Sequence, residues 1–159
     1  MPGDDIDFDR LWQNVTEQSP LDARSIHGPW HWRRVEKNGL ALAAETTGAD
    51  ITIIRLFAVF HDSRRTNEFT DHEHGLRGGE LAQVLRGQLF NLNDARFATL
   101  FYACAWHERG RTSDDPTVGA CWDADRLDLP RVSITPDPML MSTAAGKRIA
   151  TEMNPRQRK

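Results

Sequence analysis

The chain alternates apolar or amphipathic stretches with short breaks, and most of these stretches have the spacing of helices. Apolar residues recur at helical spacing over 6–16 and predict a first helix. Pro29 suits a first turn and Gly48 suits a stop, which predicts a second helix from 29 to about 46. The run ITIIRLFAVF, residues 51–60, is apolar almost all round. Its β-branched residues favour a strand, but its length and its helical neighbours favour a buried helix, which we predict.

Capping residues and glycine stops place the other helices. Residues 73–85 have a helical pattern that ends at Gly87. Prolines make the stretch after residue 130 irregular, and the tail from about residue 153 is expected to be mobile. The predicted caps are Asp50 for the helix at 51, Asn93 or Asp94 for one to about Trp106, Asp115 with Pro116 for one to about Leu127, and Ser142 for one to about Glu152. The pattern therefore predicts an all-α, single-domain bundle of six or seven helices.

Length, composition and charge narrow the class of protein. A chain of 159 residues fits one domain, here residues 1–159, and needs no disulfide to hold its core. The net charge of −3 gives no reason to expect a nucleic-acid polymer as partner. Apolar runs are too short for a membrane span and the N-terminus is acidic, so we expect a cytoplasmic protein with no membrane partner. Nothing in the sequence indicates the oligomeric state.

Histidines and aspartates carry the chemical signal. His61 and Asp62 adjoin at the end of the most apolar predicted helix, and burying such groups is costly unless they are paired or ligated. Further acids, Asp123, Asp125 and Asp128, lie in CWDADRLDL. The remaining histidines are His27, His31, His72, His74 and His107.

Five segments together resemble the HD superfamily of metal-dependent phosphohydrolases, whose pattern is H…HD…D. They are WHWRRV, LFAVFHDSRR, EHGLRGGELA, AWHERG and DADRLDL, within residues 25–130. The resemblance implies a helical bundle with metal held between helices. On this chain it implies that the metal ligands are His31, His61, Asp62 and Asp125, with Asp123 as the alternative to Asp125.

The resemblance also implies a second metal in some family members, bound by two additional histidines. The candidates here are His74 and His107, with His72 as the alternative to His74, and Asp62 would then bridge the ions. His74 and His107 could instead contact substrate. Imidazoles with carboxylates suit Mn, Fe, Zn, Co or Ni, and Mg less well, so we expect one or two divalent ions per chain.

The implied activity is hydrolysis of a phosphate ester of a nucleotide or another small phosphorylated metabolite. In the expected mechanism Asp62 or Asp125 holds the metal and orients the attacking water, and Arg64 offsets charge on the phosphoryl group. His107 or His74, if it is not a ligand, protonates the leaving group. His27 is expected to line the pocket. Further substrate-binding candidates are the cations Arg33, Lys37, Arg65 and Arg126.

Two other functions stay open at this point. Dinuclear iron oxygenases also resemble HD proteins and use histidine-rich sites, although in the sugar oxygenases a lysine closely follows the HD pair, where this chain has DSRR. A binding or regulatory module without turnover is the other alternative, and no residue favours it. The segment 130–150 carries no chemical signal.

Overall fold

The computed structural model describes residues 4–157 and is an all-α bundle, as predicted. Within that range the backbone forms seven α-helices joined by turns and longer loops, some of which contain short 3-10 helices, and its only β pairing is an isolated bridge between Arg86 and Phe90. The helices are α1 Phe8–Glu17, α2 Pro29–Ala44, α3 Ile51–Phe60, α4 His74–Leu85, α5 Asp94–Trp106, α6 Pro116–Arg126 and α7 Ala144–Met153. None of the helices in residues 4–157 combines the length and the apolar character that crossing a bilayer requires.

Local polar contacts explain where most helices begin. The side chain of Asp50 accepts a hydrogen bond from the amide of Ile53, and that of Asn93 accepts one from Arg96. Asp115 caps α6 in the same way, with proline at the first helical position. The predicted cap of the last helix was wrong: the side chain of Thr143, not Ser142, accepts from the amide of Gly146.

The run 51–60 forms a helix, α3, at the centre of the bundle. It packs against α1, α2, α4, α5 and α6, and seven of its ten residues are buried. A helix surrounded in this way exposes little of its surface beyond its first residues and Arg55, which explains why its sequence is apolar almost all round. Its C-terminal end therefore delivers His61 and Asp62 into the interior of the molecule.

Close contact between α3 and α4 depends on glycine. Gly78, in α4, lies against the backbone at the end of α3, where an added methyl group would overlap the carbonyl oxygen of Phe60. The same substitution at Gly75 would overlap the carbonyl oxygen of Cys104 in α5. The two glycines let α4 approach both neighbouring helices at backbone distance, which brings His74 close to the end of α3.

The segment after α6 closes the bundle over the outer side of that helix. Asp123 accepts hydrogen bonds from the amides of Ser142 and Thr143 and from the Thr143 hydroxyl, at 2.7 to 2.8 Å. Arg126 donates to the carbonyl of Leu140 at 2.6 Å. The predicted mobile tail begins at the end of α7 and includes a short turn, Pro155–Gln157; residues 158 and 159 lie outside the described residues.

Candidate metal centre

Six histidine and aspartate side chains from five helical segments meet inside the bundle, and we call them the His/Asp cluster. His31 lies in the first turn of α2 and Asp125 near the end of α6. The other members lie at helix ends, because His61 and Asp62 follow α3, His74 begins α4, and His107 follows α5. All four histidines and Asp62 are buried, whereas the Asp125 side chain retains 19% of its exposure.

The first group within the cluster consists of His31, His61, Asp62 and Asp125. Nε2 of His31 lies 3.1 Å from Nε2 of His61, 3.0 Å from Oδ1 of Asp125 and 3.4 Å from Oδ2 of Asp62. Nε2 of His61 lies 3.5 Å from the same Asp125 oxygen and 3.7 Å from the same Asp62 oxygen. Both imidazole nitrogens therefore lie within 3.7 Å of both carboxylates, and His31, His61 and Asp62 form a set of ligand atoms that could hold one ion.

The second group consists of Asp62, His74 and His107. Oδ1 of Asp62 lies 3.0 Å from Nε2 of His74 and 3.2 Å from Nε2 of His107. Those two nitrogens are 3.1 Å apart. Asp62 therefore belongs to both groups, with Oδ2 facing the first group and Oδ1 facing the second.

Each cluster histidine is oriented through its outer nitrogen. Nδ1 of His31 lies 2.7 Å from a carboxylate oxygen of Asp128, and Nδ1 of His107 lies 2.7 Å from the carbonyl oxygen of Cys104. Nδ1 of His61 lies 3.0 Å from the Ala58 carbonyl, and Nδ1 of His74 lies 2.7 Å from that of Asp71 and also contacts the Glu108 carboxylate. An Nδ1–H that donates outward leaves the Nε2 lone pair facing the cluster, which is the usual arrangement of metal-binding histidines.

The charges of the cluster suit a cation. Burial alone would raise the pKa of Asp62 and Asp125, but the adjacent imidazoles hold both well below the usual aspartate range. Burial alone would lower the pKa of His31, but hydrogen bonds to the carboxylates of Asp125, Asp128 and Asp62 raise it to about 10. Burial lowers the pKa of His61. Without a metal, the proton on His31 supplies the positive charge that the carboxylates attract.

The spacing of these atoms also fits a divalent ion. Ligands about 2.1 Å from a metal lie about 3.0 Å apart at a right angle and about 3.4 Å apart at a tetrahedral angle. The neighbouring pairs given above fall between 3.0 and 3.7 Å in the first group and between 3.0 and 3.2 Å in the second. Nitrogen and carboxylate ligands together suit Mn, Fe, Zn, Co or Ni. The residues present therefore fit one ion in each group.

The structure brings together the six residues predicted as metal ligands and separates them from the alternatives. Asp123 points to the start of α7, where it accepts three hydrogen bonds, and His72 is exposed. His27 lies beside the first group, with Nδ1 3.5 Å from Oδ2 of Asp62.

The predicted substrate cations are more dispersed. Arg64 donates to the Gln18 carbonyl, Arg33 stacks over Trp12, and Lys37 is exposed. Arg126 bonds Leu140, as described above. Arg65 touches the cluster indirectly, with Nη1 3.3 Å from Nδ1 of His74, while its other nitrogens bond the carbonyls of Asn67 and Phe69. Substrate binding by these five cations stays a prediction.

The sequence analysis missed the acids that orient the histidines. Asp128 follows Asp125 by three residues and contacts His31, and its other oxygen accepts from Nε of Arg34 at 2.7 Å. Glu108 directly follows His107 but contacts His74. Asp128 had a readable signal, since a residue three positions after a helical one lies on nearly the same face. The sequence carries no signal that would pair Glu108 with His74, a histidine of another helix.

Replacing Asp128 by Asn is expected to weaken metal binding by roughly 10- to 100-fold, because the neutral amide orients His31 less firmly and makes it a poorer ligand. Isothermal titration of the metal-free variant with Zn²⁺ or Mn²⁺ measures this loss. Glu36→Gln is the matched control. Glu36 lies on α2, the helix of His31, but pairs with Arg55 and not with His31. Equal affinities for wild type and Asp128→Asn would contradict the role given to Asp128.

Metal binding at neutral pH is expected to release at least one proton, because the pKa of about 10 keeps His31 protonated and a ligand imidazole must be neutral. Against the effect of burial, the Asp62 carboxylate raises the pKa of His107 as well. Acid favours the protonated, metal-free form, so the apparent affinity should fall as pH decreases from 8 to 6. Titrations in PIPES and HEPES, whose ionisation enthalpies differ, count the protons. A binding enthalpy that is independent of the buffer would contradict this prediction.

Comparison with known proteins gives one informative match. No family model matches the chain, and no curated protein does either. A solved structure from an uncultured Thermotogales bacterium, described as a predicted HD superfamily hydrolase, aligns over 91% of this chain and 83% of its own with a TM-score of 0.69 and 23% identity. The match shows that the chain has the fold of that predicted hydrolase.

Proposed function

We propose that the protein is a metal-dependent phosphohydrolase that cleaves a phosphate ester of a nucleotide or another small phosphorylated metabolite. The observation that supports it most is the sharing of Asp62 between two groups of buried ligand atoms, one facing each carboxylate oxygen. The matching fold of a predicted HD superfamily hydrolase supports the hydrolase class. A divalent ion, when bound, lowers the pKa of water and polarises a phosphoryl oxygen.

The carboxylates and the histidines of the cluster have different roles in this proposal. Asp62 and Asp125 supply negative charge that holds the cation, and His31 and His61 supply neutral nitrogen ligands once the proton on His31 has left. The His31 and His61 side chains have no exposure, so they reach the ions but not the solvent. Asp125 is the most exposed member of the first group, and it marks the edge where substrate approaches.

His74 and His107 act as ligands in this proposal rather than as proton donors to the leaving group. Their Nε2 atoms lie 3.0 and 3.2 Å from one oxygen of Asp62, and their Nδ1 atoms are bonded outward. Arg65 lies beside His74 outside the second group, with Nη1 3.3 Å from Nδ1 of His74. A phosphoryl group would draw on further cations, for which Arg64, Arg33, Lys37 and Arg126 remain the sequence-based candidates.

Elemental analysis of the protein as purified, followed by a phosphate-release panel, tests the proposal. The panel contains nucleotides and sugar phosphates, each with Mn²⁺, Co²⁺, Ni²⁺ and Mg²⁺. We expect up to two metal ions per chain and release that chelation abolishes and metal restores. Absence of release with every metal and substrate would contradict the proposal.

A dinuclear iron oxygenase is the second candidate, and the shared carboxylate of Asp62 between two histidine pairs favours it. Iron-loaded protein prepared without oxygen would then consume oxygen in the presence of a small polyol or phosphonate. Oxygen uptake together with no phosphate release would reverse the order of the two candidates.

A further inference from the structure

We propose that His27 accepts, through Nδ1, a hydrogen bond from the water molecule that attacks phosphorus, and so orients that water beside Asp62. The inference rests on the proposed hydrolysis and adds a residue that touches a reacting atom. Four observations carry it, concerning the tautomer of His27, its unpartnered nitrogen, its attachment and its place relative to the ligands.

The tautomer of His27 follows from its outer contact. Nε2 lies 3.2 Å from the carbonyl oxygen of Glu68, and a carbonyl oxygen only accepts hydrogen bonds. Nε2 therefore carries the hydrogen, and in the neutral ring Nδ1 presents a lone pair. This is the reverse of the four cluster histidines, which present Nε2.

That lone pair has no partner among residues 4–157, although the atom is buried. It faces Oδ2 of Asp62 at 3.5 Å, which is another acceptor. Two acceptors buried side by side repel each other unless a donor or a cation lies near both. A water molecule bound at this edge can supply one hydrogen to His27 and present its oxygen lone pairs in the opposite direction.

The position of His27 is fixed by its surroundings. Its carbonyl accepts from Nε1 of Trp32 at 2.7 Å, and its amide donates to the hydroxyl of Ser25 at 3.0 Å. That hydroxyl contacts the Glu68 carboxylate, and Nε2 of His27 contacts the Glu68 carbonyl oxygen. These two contacts with Glu68 fix the position of the His27 ring. A hydrogen bond from a fixed acceptor restricts where the attacking oxygen lies, which is how orientation contributes to rate.

His27 lies outside the ligand atoms of the first group. His31 and His61 each already contact Asp62 and Asp125, and 13% of the His27 side chain is exposed, whereas those of His31 and His61 are fully buried. This places it between the first group and solvent, where water and substrate enter. In the reaction the water oxygen bonds to phosphorus, the ester P–O bond breaks, and its electron pair leaves with the alcohol oxygen. One hydrogen of the attacking water stays on the released phosphate, the other passes to solvent, and solvent returns one proton to the alcohol oxygen.

Two substitutions test the roles of Nδ1 and Nε2 of His27 separately. In His27→Asn, Oδ1 occupies nearly the position of Nδ1 and keeps the acceptor, whereas in His27→Gln the amide nitrogen keeps the Glu68 contact and the acceptor is lost. We expect His27→Gln to lower kcat by roughly 10- to 100-fold with unchanged KM and metal content, and His27→Asn to keep most of the wild-type kcat. Thermal melts of the metal-loaded proteins verify that both variants fold.

Fluoride provides a second readout that needs no substrate. It replaces bound water but has no hydrogen to donate, so in the wild type it leaves Nδ1 of His27 unpaired. Titration of the Co²⁺-loaded proteins, followed by the visible spectrum, should show fluoride binding about 3- to 10-fold tighter in His27→Gln than in wild type.

The outcomes are distinct. Loss of metal from both variants would make His27 a ligand and overturn the proposal, as would a His27→Gln variant with wild-type kcat and wild-type fluoride affinity. If wild type releases no phosphate from any substrate, the proposed function fails, while the fluoride titration still decides whether His27 accepts a hydrogen bond from bound water.

Discussion

Replacing Asp62 by Asn is expected to weaken metal binding at both groups by roughly 10²- to 10³-fold, the equivalent of about 3–4 kcal/mol, because it removes one partner of several buried charge pairs. The reason is geometric, because each oxygen of Asp62 faces a different group. The amide has one oxygen in place of two and no charge, so it cannot serve both groups. Phosphate release should fall with the metal content.

Plasma emission spectrometry of dialysed protein and metal titrations measure the effect of Asp62→Asn. Asp125→Asn is the informative comparison. Because Asp125 contacts His31 and His61, this substitution should remove metal only from the first group. His107→Asn should affect only the second group. An Asp62→Asn variant that retains wild-type metal content would contradict the bridging position of Asp62.

The six residues that the HD resemblance implied as metal ligands do meet in one cluster, and part of this convergence has a reason that the residue types show. A histidine–aspartate pair at the end of an apolar helix has to be compensated, and the central position of α3 shows why, since it places His61 and Asp62 where no solvent reaches. The series of histidines and the late DADRL run then supplied partners. The sequence could not show that the ligand atoms form two groups, because that depends on how α4 and α5 pack.

The same segment of α6 illustrates where sequence reasoning stops. Asp123 and Asp125 are two residues apart, and a helix turns about 200° over two residues, so they face nearly opposite sides. Both carboxylates have polar partners, but Asp125 contacts the imidazole of His31, whereas Asp123 accepts from the amide of Thr143 at the start of α7. Nothing in CWDADRLDL distinguishes the two roles before α7 is placed.

Arginine positions were the least predictable, because a long side chain reaches several partners. Arg64 and Arg65 adjoin in sequence, yet Arg64 bonds a carbonyl near α1 and Arg65 bonds the loop before α4. Such contacts depend on the paths of loops, which hydrophobic periodicity does not describe.

Prolines did predict the irregular stretch after residue 130, and the structure shows it bound to α6 through Asp123 and Arg126.

Gly78→Ala is expected to destabilise the fold by roughly 2–3 kcal/mol, the range typical of overpacking a tight contact. The added methyl group would overlap the carbonyl oxygen of Phe60 and lie 3.2 Å from its carbonyl carbon. Backbone atoms at the end of a central helix have little room to move, and alanine's better helix propensity, worth about 1 kcal/mol, is too small to offset the clash.

Gly39→Ala is the matched control, since Gly39 also lies inside a helix, α2, and is buried. A methyl group there would overlap Cγ2 of Ile54, which is a side-chain atom and not backbone. Urea unfolding of the metal-free proteins should therefore show a smaller loss for Gly39→Ala than for Gly78→Ala, with similar m-values. Because His61 directly follows Phe60, displacement of α4 by Gly78→Ala should also weaken metal binding, whereas Gly39→Ala should leave it unchanged. Equal stability losses for the two variants would show that α3 and α4 are not held at backbone distance by Gly78.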